Sequence, residues 1–123
     1  EKTVDIVGLS RYMKTPIGQL SDGERQKIMT AKALAQETPI ILLDEPTSFL
    51  DFQSKVEMMK LLRDLAHDME KTIVLSTHDL MLAEKMGDKL WWMESTLQPI
   101  GKDRLANYLT DVLDTTVERT RML

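Results

Sequence analysis

The sequence contains no cysteine, which excludes disulfides, thiolate metal sites and a cysteine nucleophile and agrees with a reducing compartment. It has no Lys/Arg-rich run and a net charge of -4, so the electrostatic footprint of a nucleic-acid binder is missing. No apolar run approaches the ~20 residues a membrane helix needs, and no charged-then-apolar leader opens the chain. The expectation is a cytoplasmic chain whose membrane role, if it has one, comes through a partner. The chain also opens on EKTVDIVGL without an initiator Met, as expected of a piece of a longer protein. The phosphate-cradling loop GxxxxGK[ST] is absent too. Gly18 and Gly23 stand as GxxxxG, but Glu24 and Arg25 follow where Lys and Ser or Thr belong.

What is present suits one soluble domain: 123 residues, 42% of them hydrophobic, enough to bury roughly two thirds of the unfolded surface on folding. Residues 1 to 7 carry Val4 and Val7 at helical spacing and read as a helix end closed by Gly8, followed by a loop with Pro16 and Gly18. From Asp22 to Gln36 helix formers dominate, with Ile28, Ala31, Leu34 and Ala35 on one face, and Thr38-Pro39 ends the run. IILLDE is an unbroken apolar run, the pattern of a strand buried on both faces, and TIVLSTH repeats it at residues 72 to 78. Between them QSKVEMMKLLRDLAHDME sets Val56, Met59, Leu62, Ala66 and Met69 on one stripe of an amphipathic helix. Strand, helix, strand makes a βαβ crossover. Residues 79 to 87 read as a helix ending at Gly87, KLWWM and LQPIG as two short strands, and KDRLANYLTDVL as a terminal helix with DTTVERTRML beyond it. The fold class expected is α/β with a mostly parallel sheet.

Three stretches carry chemistry. In LSDGERQ, Ser21 or Asp22 caps a helix, and the free N–H groups of that helix tip suit an anion, with Gly23 allowing close backbone approach. In IILLDEPTSFLD the strand delivers Asp44 and Glu45 to its carboxyl end, where open α/β sheets place ligands, and alternation lets the two acids take different tasks. Asp51 caps the long helix. In TIVLSTHD, His78 ends the second strand. His67, among charged neighbours on the long helix, is given no role, and the nine methionines are read as core filler or contact surface. Trp91 and Trp92 are adjacent on a strand, so both of its faces are expected to be covered.

In this order, LSDGERQ, IILLDEPTSFLD and LSTHD resemble the nucleotide-binding domain of the ABC transporter ATPases, from the signature motif onward. The resemblance covers most of residues 4 to 105 and is nearest to importers of iron-siderophore complexes, haem or vitamin B12. It implies a P-loop NTPase fold of the RecA-like type, lacking the Walker A strand and loop, with residues 1 to 36 ending a helical subdomain and 37 to 123 forming the second half of the core. It implies ATP and Mg²⁺ as cofactors, with Asp44 holding the metal through water, Glu45 as general base and His78 on the γ-phosphate. Ser21, Gly23 and Glu24 of the signature, with Asp51 of the D-loop, would serve the nucleotide across a head-to-tail dimer, and Ser48 and Asp51 would touch the opposite subunit and couple the two ATP sites. Asp22 and Glu24 depart from the common LSGGQ form, and Asp22 is expected to cap the helix and face away from nucleotide. The partners implied are membrane permease subunits and a second copy of the chain, without nucleic acid, at the inner face of the plasma membrane. Without Walker A this half alone is expected to be inactive, and its unpaired strand edges invite a second copy or a remodelled sheet. Two other classes remain: the signature lobe of ABC-like chromosome-maintenance or repair ATPases, against which residues 1 to 20 offer no heptads, and a nucleotide-free interaction module.

Overall fold

The computed structural model describes residues 8–121, with side chains through Asp111. The helix end expected over residues 1 to 7 lies outside the described residues. The chain divides into two compact units, one through His78 and one from Asp79 onward.

In the first unit, single turns at Ser10–Tyr12 and Ile17–Gln19 lead into helix α1, Asp22–Ala35. Its start is written in the sequence: the Ser21 hydroxyl accepts the Glu24 N–H, and the Glu24 carboxylate accepts the Ser21 N–H. This reciprocal box satisfies two donors that a helix start otherwise leaves bare. The helix stops where Glu37 turns left-handed at φ 55°, just before Thr38-Pro39. It buries Thr30, Ala31 and Leu34. Ala35 is exposed and Ala33 packs on the core in its place.

Strand β1, Ile40–Asp44, pairs in parallel with β2, Thr72–Ser76, from Ile40 opposite Thr72 to Asp44 opposite Ser76. Helix α2, Phe52–Asp68, makes the crossover between them. The core gathers Leu9, Ala31, Leu34, Ile41 and Leu65, with Ile28, Leu43, Leu61 and Ile73 packed against it. The burial of these apolar side chains, at about 25 cal/mol per Å², is what holds the unit together.

Two expectations are corrected here. The buried stripe of α2 is Met58, Met59, Leu62 and Leu65, rotated from the one expected. Met58 meets the Thr30 hydroxyl of α1 at 3.9 Å, so α2 is buried where it faces a helix, and Met69 falls beyond its end and is exposed. The apolar run of β1 is not buried on both faces. Ile41 and Leu43 face the core, while Ile40, Leu42 and Val74 on the other face are 55%, 74% and 53% exposed. The both-face pattern needs a layer on each side of a parallel sheet, and only one is present among the described residues.

The second unit holds α3, Leu80–Met86, then strands β3, Leu90–Met93, and β4, Leu97–Ile100, and helix α4, Lys102–Arg121. Asp79 caps α3 through the Leu82 N–H, and Gly87 ends it. A Cβ at Gly87 would stand 2.7 Å from the Leu90 side chain and 2.8 Å from the Ala83 carbonyl, so only glycine fits. β3 and β4 pair antiparallel as a hairpin of their own, giving two two-stranded sheets. Trp92 packs edge-on to Tyr108 with centroids 5.1 Å apart, and its N–H donates to Glu94. Trp91 points to the hairpin's other face and is exposed, contrary to the expectation that both faces would be covered. Among the described residues no helix is long and apolar enough to cross a membrane.

Candidate functional site

The carboxyl ends of β1 and β2 lie side by side because the parallel register closes on Asp44 and Ser76. Beyond that pair the chain leaves the strand at Glu45, whose φ of 45° is left-handed backbone that costs a residue with a Cβ about 1–3 kcal/mol. The conformation is held from several sides. The Glu45 N–H donates to the Ser76 hydroxyl at 3.0 Å, and that hydroxyl donates in turn to Asp44 Oδ1. The Ser48 N–H donates to the Glu45 carbonyl at 3.0 Å, and the Gln26 side-chain amide donates to the Pro46 carbonyl at 2.7 Å. So held, Glu45 places Oε1 3.2 Å from His78 Nε2. The histidine is almost wholly exposed and the glutamate largely shielded.

Three of the expected site residues, Asp44, Glu45 and His78, are thus brought together. Asp44 has one oxygen occupied by Ser76, and the residue is exposed. A cavity of about 400 Å³ adjoins the two acids, and Asp22, Arg25, Gln26, Ser48 and Phe49 complete its wall. Three carboxylates face a single guanidinium there. Such a wall attracts a hydrated divalent cation and repels a bare triphosphate. The donor set therefore fits Mg²⁺ and lacks the cations that would hold the phosphates unaided. No cluster of three or more candidate ligands occurs among the described residues, so Asp44 would share the ion with water and substrate, the usual state of magnesium.

Ser21, Gly23 and Glu24 stand at the tip of α1. Ser21 Oγ is 3.2 Å from the Glu24 nitrogen and serves it as acceptor, and its hydroxyl also turns to the Glu24 carboxylate. Gly23 is not demanded by internal packing, since a Cβ there would meet only the Ser54 side chain, Oγ at an ordinary 3.7 Å and Cβ at 3.8 Å. The expectation for Asp22 is corrected. Ser21, not Asp22, is the cap, because only Ser21 can pair reciprocally with Glu24. Asp22 instead lies 3.5 Å from Arg25 and lines the cavity with Asp44 and Glu45. Asp51 caps α2 as expected, accepting the Ser54 N–H at 3.0 Å and the Ser54 hydroxyl at 2.7 Å. Ser76, Gln26 and Phe49 were not singled out from sequence. Ser76 was within reach, since aligning the two strands end to end sets it opposite Asp44.

Both caps titrate. The Ser21 N–H, then the Tyr12 hydroxyl, hold the Glu24 carboxyl below its ordinary value. The Ser54 N–H and hydroxyl do the same for Asp51. A depressed carboxyl contributes stability above its unfolded pKa and loses it as pH falls through the folded value. The melting temperature is therefore expected to fall on acidification below about pH 4. Glu24→Gln, which keeps an acceptor but cannot titrate, should flatten that fall when melts are recorded from pH 7 to pH 2.

Comparison with known proteins gives a consistent set of likenesses. The family model described as ABC transporter matches residues 1–48. An uncharacterized ABC transporter ATP-binding protein of Methanocaldococcus jannaschii is 54% identical over 72 residues, 58% of this chain and 25% of that protein. The petrobactin import ATP-binding protein FatE of Bacillus anthracis is 34% identical over 124 residues, 95% of this chain and 48% of that protein. Among solved structures, a metal-chelate type ABC transporter in an inward-facing conformation superposes with a TM-score of 0.78 at 32% identity, over 83% of this chain and 42% of that one. The chain thus spans between a quarter and a half of the length of these relatives.

Proposed function

We propose, from a chain that belongs to the ABC transporter ATP-binding family, that the intact protein is the ATP-hydrolysing subunit of an importer for iron-siderophore, haem or a related metal chelate. The observation that carries the reading is the Glu45–His78 contact at 3.2 Å beside Asp44, a carboxylate and an imidazole set around one small space at the end of a parallel strand pair.

In this reading Glu45 takes the proton of the attacking water, which sits between it and the γ-phosphate. His78 is 3.2 Å from the carboxylate, and its exposed ring would meet that phosphate. Asp44 would hold magnesium, which supplies neutralisation of phosphate charge. Ser21 and the N–H groups of the α1 tip, with Gly23 open beside them, serve the phosphate bound by a second copy. Glu24 acts there by holding Ser21 in place, its carboxylate being engaged by the Ser21 N–H. Asp51 and Ser48 lie at the joint between the copies. The permease is the further partner, which sets the subunit at the inner face of the membrane. The metal chelate is inferred from two relatives, a petrobactin import ATP-binding protein and a metal-chelate type transporter.

The residues 1 to 36 and 37 to 123 are assigned to the end of a helical subdomain and the second half of the core. With three carboxylates and one guanidinium around the cavity, this chain alone should show no Mg-ATPase above buffer. Phosphate release by the isolated chain is the test. Turnover that vanished in Glu45→Gln of the same chain would contradict the reading, as would a full-length protein whose ATPase, assembled with its permease, ignored ferric chelates.

A further inference from the structure

The Glu45 turn is left-handed backbone at the site, and two of the groups that grip it belong to residues without a role so far. β1 pairs with β2 only as far as Asp44 and Ser76, so the Glu45 N–H has no strand partner. The Ser76 hydroxyl takes it, at 3.0 Å, and passes its own proton to Asp44. A hydroxyl has one donor and two acceptor positions. Spending the donor on Asp44 turns a lone pair toward Glu45, so each bond orients the other. On the far side of the same turn the Gln26 amide holds the Pro46 carbonyl at 2.7 Å, and proline's fixed φ transmits that hold back to Glu45. Gln26 lies in the second turn of α1, the helix that Ser21 caps.

We propose that Ser76 and Gln26 are positioning residues for Glu45: together they keep its left-handed backbone from relaxing, and so keep its carboxylate on His78. Without them the residue falls back toward ordinary β or α geometry, the Cβ direction swings, and the carboxylate leaves the imidazole. Gln26 also ties the tip of α1 to the Glu45 turn within one chain, so a displacement of Ser21 is felt at the general base. The inference rests on the ATPase reading for its kinetic consequence but not for its structural one.

The experiment uses the full-length protein with Ser76→Ala, Ser76→Thr and Gln26→Leu, and measures steady-state Mg-ATPase and backbone amide exchange over residues 44 to 48. Ser76→Ala should lower kcat about tenfold with KM for ATP within about twofold, because orientation rather than binding is lost. Exchange at the Glu45 amide should quicken at least about tenfold as its partner disappears. Ser76→Thr keeps the hydroxyl and should restore both; Gln26→Leu should lower kcat in the same direction. Unchanged exchange in Ser76→Ala overturns the proposal, and so does a Glu45-dependent ATPase indifferent to Ser76→Ala. Faster exchange in a full-length protein that hydrolyses no ATP would uphold the positioning role and sink the ATPase reading instead.

Discussion

Replacing Glu45 by Gln in the intact protein is expected to lower kcat for ATP hydrolysis by about 10²–10⁴-fold, the usual worth of a positioned general base, while KM for ATP stays near the wild-type value. The substitution is close to isosteric. The amide oxygen can still accept from His78 across the 3.2 Å that Glu45 Oε1 spans, and the Glu45 N–H bond to Ser76 is a backbone bond that survives. What disappears is the capacity to take a proton. In the proposed reading nucleotide binding depends on groups the change does not touch, so the variant should bind ATP and stall before cleavage. Activity within a few-fold of wild type, at equal loading, would move the general base elsewhere. A large rise in KM instead would make Glu45 a binding residue and return the catalytic role to His78 or to a group outside this chain.

How much of this could be read beforehand depends on what kind of question each residue answers. The β1–α2–β2 crossover, the ends of α1 and α3 and the existence of β3 and β4 follow from local signals: apolar runs, Gly87, Thr38-Pro39; the antiparallel pairing of β3 with β4 does not. The meeting of Glu45 with His78 follows from their motifs together with the parallel register. The cap of α1 was ambiguous because serine and aspartate are both good caps; the reciprocal bond with Glu24 decided it, and reciprocity is three-dimensional. The outward turn of Leu42 and Trp91 was not legible for a related reason. Periodicity states which side chains prefer burial and says nothing of whether a layer arrives to cover them. Ser76 and Gln26 were missed because a polar residue in a helix or at a strand end carries no periodic mark. Only the register that sets Ser76 against Asp44, and the packing that brings Gln26 to Pro46, give them a purpose.

The same contrast between preference and partner yields the largest expected effect on stability. Leu65 and Leu42 are the same residue in the same unit, one 4% exposed among Leu9, Ala31, Leu34 and Ile41, the other 74% exposed on the outer face of β1. Leu65→Ala removes buried methyl groups and leaves a cavity whose wall is made of two helices and a strand, so a loss of about 2–5 kcal/mol is expected. Against the roughly 5–15 kcal/mol of a typical domain, this is a large share of the stability of a unit whose sheet is covered on one side only among the described residues. Leu42→Ala should change the unfolding free energy by no more than about 0.5 kcal/mol, as surface changes do. Chemical denaturation of both variants at several protein concentrations checks the pair. Equal losses would mean that the outer face of β1 and β2 is covered in solution. A midpoint for the Leu42→Ala variant that depends on concentration less steeply than wild type would then identify the cover as a second copy, since only an intermolecular contact responds to dilution.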